Sequence, residues 1–591
     1  IDCLTGENFC YEIKTDYQNT TLGFDEIQKF ISVQNPREII IYTKNLDIEE
    51  IQLISLLGII GISYHYFSDA IPAPYYKIPY QESFFKKIFE QTDNCTINNY
   101  GSILQHMNLE HQEYARLSYL LLLDFVIEHD DTIICRLDKP ELWENNKYLI
   151  LANNSLEQLN IVESRFSSQY RNQGSLLKIL TQTSTVMGKR LLTKRLLSPI
   201  RDPTILNQRY DLIDYFMYHN VNTDTNTNKN TTGNNIDNIT YQEIEDLLKK
   251  INDLEKAHRL VSTHRITPNQ LIGLHISYQS VIKIINYLQN LGKQKQDSKE
   301  LLKYLLPQKE EIDLIIKLEK YLDEHFNWEL CYTNHLEKIS HSFFQTGVYK
   351  DIDILQEKIN VSLTLLPKLA KKLSDYLDGF WTEQNLPIKV EHSEKNKHHI
   401  YCTKKRSENL QASLKEHNYP KFKIGSYNID TKKIEYQTLN KSNILIYISC
   451  VEENSNNLIL LQDELQKLII EKYNQIIETI HQKYHTIFTP ISYFTAQVDL
   501  IKSNVKNSIL NSYSRPIIQP LENQNEITNT NTNTNTNTNT NNSSYIHVKG
   551  IRHPIIEKIQ EQLEYVPSDL SLGNYQSKNN TNNIDNIDNI D

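Results

Sequence analysis

One uninterrupted stretch decides most of what this chain can fold into. N-N-L-I-L-L-Q-D-E-L-Q-K-L-I-I-E-K-Y-N-Q-I-I-E-T-I-H-Q-K-Y-H-T-I-F (456–488) places Leu458, Leu461, Leu465, Leu468, Ile476, Ile480, Tyr484 and Ile487 at steps of three and four. That is the period of one helix face. About 30 residues at 1.5 Å each predict a single helix of roughly 45 Å. A helix this long needs something to cover its apolar stripe. D-I-D-I-L-Q-E-K-I-N-V-S-L-T-L-L-P-K-L-A-K-K-L-S-D-Y-L (351–377) carries a matching pattern. The two read as antiparallel arms.

The segment between the arms changes character. In K-V-E-H and H-H-I-Y-C-T, β-branched and aromatic residues alternate with polar ones, so 386–450 reads as a small β-rich insert. The whole chain has a net charge of −11, which taken as an average argues against nucleic-acid binding. The insert reverses that sign. From Leu386 to Cys450 it holds twelve basic against six acidic residues, a local balance of +6. A basic patch held away from a main body is the footprint of phosphate-backbone contact. The cations singled out for that role are Lys395, Lys397, Lys404, Lys405, Arg406, Lys421, Lys423, Lys432, Lys433 and Lys441.

A second stretch raises a different possibility. T-Q-T-S-T-V-M-G-K-R-L-L-T-K-R-L-L-S-P-I (181–200) contains Gly188-Lys189. A phosphate loop needs a further glycine five positions earlier and Ser or Thr after the Lys. Here those places hold Thr183 and Arg190, and around Gly292-Lys293 they hold Tyr287 and Gln294. No Walker-type loop exists in this chain, and no catalytic residue is assigned. The stretch reads instead as a core helix capped by Thr183 or Ser184 and ended before Pro199. Lys189, Arg190, Lys194 and Arg195 should run their stems along apolar neighbours with their heads in water. Gly188 implies close approach of another backbone.

Residues 1–105 alternate strand and helix signals, an α/β pattern. C-L-T-G-E-N-F-C-Y-E-I reads as strand, G-F-D-E-I-Q-K-F-I-S as helix and R-E-I-I-I-Y as a buried strand. Residues 111–385 read as helical. The Asn/Thr tracts at 222–235 and 528–542 and the Asn-rich tail cannot bury a core. Near the end, Y-I-H-V-K-G-I-R-H-P-I-I-E reads as strand, turn and helix, with Pro554 at a first helical position. The length of 591 residues allows about three to five domains. No run of about 18 apolar residues appears, so no membrane span or membrane partner is expected. Seven dispersed cysteines without a C-x-x-C pair suit a reducing compartment. His398, His399 and Cys402 lack a fourth ligand, so no metal site is expected.

Several motifs in order carry a family resemblance. G-S-L-L-K-I-L-T-Q-T-S-T-V-M-G-K-R-L-L (174–192) and L-A-N-N-S-L-E-Q-L-N-I before it resemble the core signature of the MutS proteins of DNA mismatch repair. N-D-L-E-K-A-H-R-L (252–260) resembles that family's D-L-E-R motif, with Lys256 where Arg is usual. S-R-P-I (514–517) and G-I-R-H-P-I-I-E with Y-V-P-S-D (550–569) resemble two further family segments. The composition is also similar to that of MutS relatives from large DNA viruses.

The resemblance implies a multidomain, mainly α protein. It implies an α/β connector at 1–105, a helical core and lever at 111–385 and 455–525, and a DNA-binding clamp at 386–454. An Asn/Thr linker at 526–542 would lead to the start of an α/β ATPase domain at 543–573, followed by a low-complexity tail at 574–591. It further implies double-stranded DNA as partner, a homo- or heterodimer with another MutS-type subunit, ATP with Mg2+, and an intracellular location at DNA. Tyr565 falls where the family stacks an aromatic ring on adenine, while Ser568 replaces the usual Asn. The family's mismatch-reading domain and phosphate loop are not among these residues. A DNA clamp of non-catalytic or junction-binding type is the alternative.

Overall fold

The computed structural model describes the chain apart from residues 4, 16–19, 35, 47, 60, 70, 90–100, 135–136, 138, 144–146, 150–154, 163–173, 225–240, 295, 334–335, 337–338, 340, 378, 380, 383–384, 394–396, 426, 519–544, 560–564 and 574–591. The 528–542 tract, most of the 222–235 tract, the tail and Lys395 therefore lie outside the described residues. The fold is mainly helical and multidomain, with small separate sheets and no closed barrel among the described residues. One compact unit comprises residues 1–253, 283–307 and 490–591. A second comprises 254–282 and 308–489.

In the first unit, strands Glu38–Thr43 and Ser63–Ser68 pair in parallel from Glu38↔Ser63 to Thr43↔Ser68. Parallel pairing needs a crossover, and helix Glu50–Leu56 lies on it. Ile41, Leu53, Leu57 and Ile59 form the core they share. The strand expected near the N-terminus shrinks to Phe9–Cys10, parallel to Glu141–Leu142. The cause is a turn at Gly6, whose φ of 83° suits glycine alone. Its N–H donates to the Asp2 carbonyl, and the Asp2 N–H donates to the Glu7 carbonyl, each at 2.8 Å.

The Gly188 stretch forms helix Val186–Leu197. Its cap is Thr185, one residue beyond the two expected, with Oγ1 accepting from the Gly188 N–H at 2.9 Å. What approaches Gly188 is a carboxylate rather than a backbone. A Cβ there would sit 2.9 Å from Asp499 Cγ. Asp499 lies buried on helix Phe488–Asn511 and accepts from the N–H of Ser184 at 2.9 Å and of Thr185 at 2.7 Å, and from Thr185 Oγ1 at 2.7 Å. Lys502, also buried, contacts Asp499 Oδ1 at 3.2 Å and donates to the Gln182 carbonyl and Ser184 Oγ. Glycine leaves room for this closed set of charges.

The four cations of that helix behave differently from one another. Lys189 and Lys194 stay exposed. Arg190 makes a two-pronged bond to Asp253 at 3.0 and 2.6 Å. Arg195 departs from the expectation that its head reaches water. Burial pushes its guanidinium down to about 10, and Arg209 beside it pushes the same way.

The second unit contains the arms. The first runs over Lys350–Ser374 and the second over Ser449–Tyr484, a helix of 36 residues and so about 54 Å long. It is longer than periodicity predicted because its first turns, S-C-V-E-E-N-S-N-N, hide their pattern among polar residues. Asn454 and Ser455 there are buried. Pro367 stands inside the first arm, where it removes a helical N–H and crowds the preceding turn. In that preceding turn the Ser362 carbonyl accepts from Asn454 Nδ2 of the second arm at 3.2 Å. Further along, Tyr473 is fully buried against Phe326 and Phe343, and its hydroxyl donates to the Ile266 carbonyl at 2.8 Å.

Candidate nucleic-acid interface

The insert between the arms folds as a four-stranded antiparallel sheet and a hairpin. The sheet runs Lys389–Ser393, Lys397–Thr403, Asn443–Tyr447, Glu435–Thr438 in spatial order. Strands Lys421–Ile424 and Tyr427–Asp430 pair separately. Helix Lys404–Glu416 follows the second strand directly. The register aligns Val390, Ile400, Ile446 and Tyr436 across the sheet on one row. Ile400, Cys402 and Ile446 of that face are buried with Leu410 and Leu414 of the helix and Ile429 and Ile434 near the hairpin.

The same cluster contains Leu365, Leu366, Leu369 and Leu373 of the first arm and Cys450 and Val451 of the second. The tip therefore has no core of its own to separate from the arms. Burial of each such side chain contributes about 1.5–3 kcal/mol, so tip and arms should move as one piece. Thiols inside this core are unreactive. Burial pushes Cys402 up to about 11, ahead of the opposing effect of Arg406, and raises Cys450 as well.

The predicted cations separate into two groups. Three are engaged locally. Lys397 bonds Asn456 of the second arm. Arg406 lies over the Trp381 ring, 5.5 Å from its centroid, and donates to the Pro387 carbonyl at 3.4 Å. Lys421 pairs with Asp430 at 3.2 Å, which holds that carboxyl below its ordinary range. Lys404, Lys405, Lys423, Lys432, Lys433 and Lys441 are exposed, and none has an ion pair among the described residues.

Local structure positions these six. Lys404 and Lys405 open the tip helix, whose first turn holds no acidic residue. Two cations there oppose the helix dipole, which favours anions at that end. The Thr403 side chain makes no capping bond. The Lys404 N–H donates to the Ser442 carbonyl at 3.1 Å, which brings Lys441 beside the same helix end. Lys423 alternates with core-packed Phe422 and Ile424, so it must face outward. Lys432 and Lys433 form the short turn after Asp430, whose carboxylate accepts from the Lys432 N–H at 3.1 Å. The arrangement offers several separate positive points, suited to consecutive phosphates rather than to one small anion.

The motif residues from the sequence serve as structural joints. Arg190 and Asp253 tie the core signature to the N-D-L-E segment. Arg515 of S-R-P-I bonds Asp211 and Asp214, each at 2.7 Å. Arg552 of G-I-R-H-P bonds Glu557 at 2.7 Å, and Asp569 of Y-V-P-S-D accepts from the Gly550 N–H at 2.7 Å. Tyr565 is half-buried and has no ring or hydrogen-bond partner among the described residues. Sequence reasoning missed Asp499 and Lys502, since nothing local marks two polar residues on an apolar helix as partners of Ser184 and Thr185.

These features define a class: a mainly helical protein whose two long arms hold a basic β tip. Residues 154–504 match the family model of MutS domain III, and the chain belongs to the MutS family. It is 24% identical to a mutS homolog of Acanthamoeba polyphaga mimivirus named for DNA mismatch repair, over 97% of this chain and 49% of that protein. It is 22% identical to DNA mismatch repair protein MutS of Clostridioides difficile, over 95% of this chain and 49% of that protein. A mitochondrial DNA mismatch repair mutS homolog of Sarcophyton glaucum is 22% identical over 83% of this chain and 42% of its own length. The chain thus spans about half the length of these relatives.

Proposed function

We propose that this chain is the connector, lever and clamp portion of a DNA mismatch repair protein, and that the 386–454 tip grips double-stranded DNA by its phosphates. The six exposed cations on a tip fused to the arm core carry this reading. It is supported by family membership and by relatives named for mismatch repair. The protein works at DNA inside the cell, as a homo- or heterodimer of MutS-type subunits whose tips enclose mismatched duplex. Among the described residues no helix is long and apolar enough to cross a membrane.

ATP and Mg2+ enter through the family. Tyr565, whose ring has no partner among the described residues, is the residue that would stack on adenine, and the sequence contains no phosphate loop to complete such a site. No step of hydrolysis is assigned to these residues. One stacked base contributes about 1–3 kcal/mol, which alone is weaker than millimolar binding.

The test measures duplex binding by the 591-residue chain as salt is varied. About five phosphate contacts predict that log affinity falls with log salt at a slope near −4 to −5. The variant Lys404→Glu, Lys405→Glu, Lys441→Glu should flatten that slope by about 2–3 and weaken all duplex sequences alike. An unchanged slope both in this variant and in Lys423→Glu, Lys432→Glu, Lys433→Glu would remove the tip from DNA binding.

A further inference from the structure

Helix Pro268–Gln294 presents His275 to Glu319 and Asp323, which are one turn apart on helix Lys309–His325. One donor atom from each lies within 4.8 Å of the others. His275 is only 6% exposed. Among the described residues its Nδ1 is buried without a hydrogen-bond partner, and its Nε2 meets Asp323 Oδ1 at 3.4 Å. Nε2 is thus the nitrogen turned toward the carboxylates, and at 3.4 Å its contact is long for a hydrogen bond.

The two carboxylates beside it point to a cation. Neither Glu319 nor Asp323 has a Lys or Arg partner among the described residues. Each is nevertheless held in place from behind. Gln279 Nε2 donates to Glu319 Oε1 at 3.1 Å, and Trp328 Nε1 donates to Asp323 Oδ1 at 2.8 Å. Trp328 also stacks on the His275 ring at 4.1 Å and fixes its plane. Outer hydrogen bonds that orient first ligands are the usual second layer of metal sites.

We propose that His275, Glu319 and Asp323 bind one divalent cation of Zn2+ or Mn2+ type and so clip these two helices together. One imidazole and two carboxylates form a mixed donor set that suits these ions better than a purely hard or purely soft one. Ligands sharing an ion at about 2.1 Å sit roughly 3–3.5 Å apart. His275 Nε2 and Asp323 Oδ1 already keep that spacing at 3.4 Å, and the other pairs, all within 4.8 Å, close toward it when an ion enters.

The experiment uses the metal-free 591-residue chain. Zn2+ and, separately, Mn2+ are titrated by calorimetry, with Mn2+ occupancy followed by electron paramagnetic resonance. The chain has 19 histidines, so ions bound elsewhere are expected and the comparison with variants decides. The double variant Glu319→Gln, Asp323→Asn should lose one equivalent or bind it at least tenfold more weakly. Its melting temperature in chelator should match the parent's, and the rise that metal gives the parent should be absent. Asp323→Asn alone, a change at an exposed side chain, should show a partial loss if the double variant folds poorly. Equal stoichiometry and affinity in parent and variants, or no ion bound by the parent, would overturn the site.

Discussion

Lys502 and Lys404 carry the same charge in opposite settings. Lys502 is buried, and the protein answers it completely with Asp499, a backbone carbonyl and a serine hydroxyl. Lys404 is exposed at a helix end whose dipole opposes it, with no acidic residue in that first turn and no ion pair among the described residues. A charge taken out of water must be matched inside the fold. A charge left in water at an unfavourable position is matched by something outside it. The difference separates structural ionic groups from binding ones without reference to any relative, and it can be attacked at either end.

The largest effect should come from Asp499→Ala. It leaves Lys502 buried without its counterion and Ser184 and Thr185 without their acceptor. Breaking one partner of a buried pair costs about 3–5 kcal/mol. Chemical denaturation should show that loss, with DNA affinity per folded molecule unchanged. A loss under about 1 kcal/mol would mean that water reaches the joint.

Reversal of Lys404, Lys405 and Lys441 should do the opposite. Three lost phosphate contacts correspond to roughly a hundredfold to thousandfold weaker duplex binding at about 0.1 M salt. Surface substitutions of this kind change stability by only about 0.5 kcal/mol. A large fall in melting temperature would show that these cations serve the fold, and the contrast with Lys502 would fail.

Gly188→Ala comes next. The added methyl meets the Asp499 carboxylate, so either the helix or the buried pair must shift. Overpacking of this kind costs about 1–3 kcal/mol. In the background of Asp499→Ala the same change should cost far less, because the obstructing group has gone. Additive losses would place the obstruction elsewhere.

How far the sequence disclosed these regions follows from the range of the interactions. The arms were legible because their pattern repeats every three or four residues. The tip's β character and charge were legible for the same local reason. Gly188 was visibly special, but its neighbour Asp499 lies more than three hundred positions away and follows no period. The half-buried setting of Arg195 was hidden likewise, since its surroundings come from Arg209 and Tyr493. The site around His275 was invisible because its ligands sit on different helices. A count of basic residues also could not say which were already engaged. Lys397 and Arg406 look identical to Lys405 until Asn456 and Trp381 are placed beside them.

The smallest effect tests that last distinction within the tip itself. Lys405 and Arg406 are adjacent, and the comparison concerns their surroundings more than their charge. Arg406→Ala should lower stability by about 0.5–1 kcal/mol, the worth of an exposed cation over an aromatic ring, and should barely move the salt slope of DNA binding. Lys405→Ala should leave stability unchanged and flatten the slope by about 0.9, the share of one phosphate contact. The two readouts are independent, so they can fail separately. If both variants flatten the slope equally, Arg406 leaves Trp381 when DNA binds, and a local partner in the free protein does not exclude a cation from the interface. If neither does, the gripping surface lies on the Lys423, Lys432 and Lys433 side of the tip. The hairpin and the turn after Asp430 would then be the segments to alter.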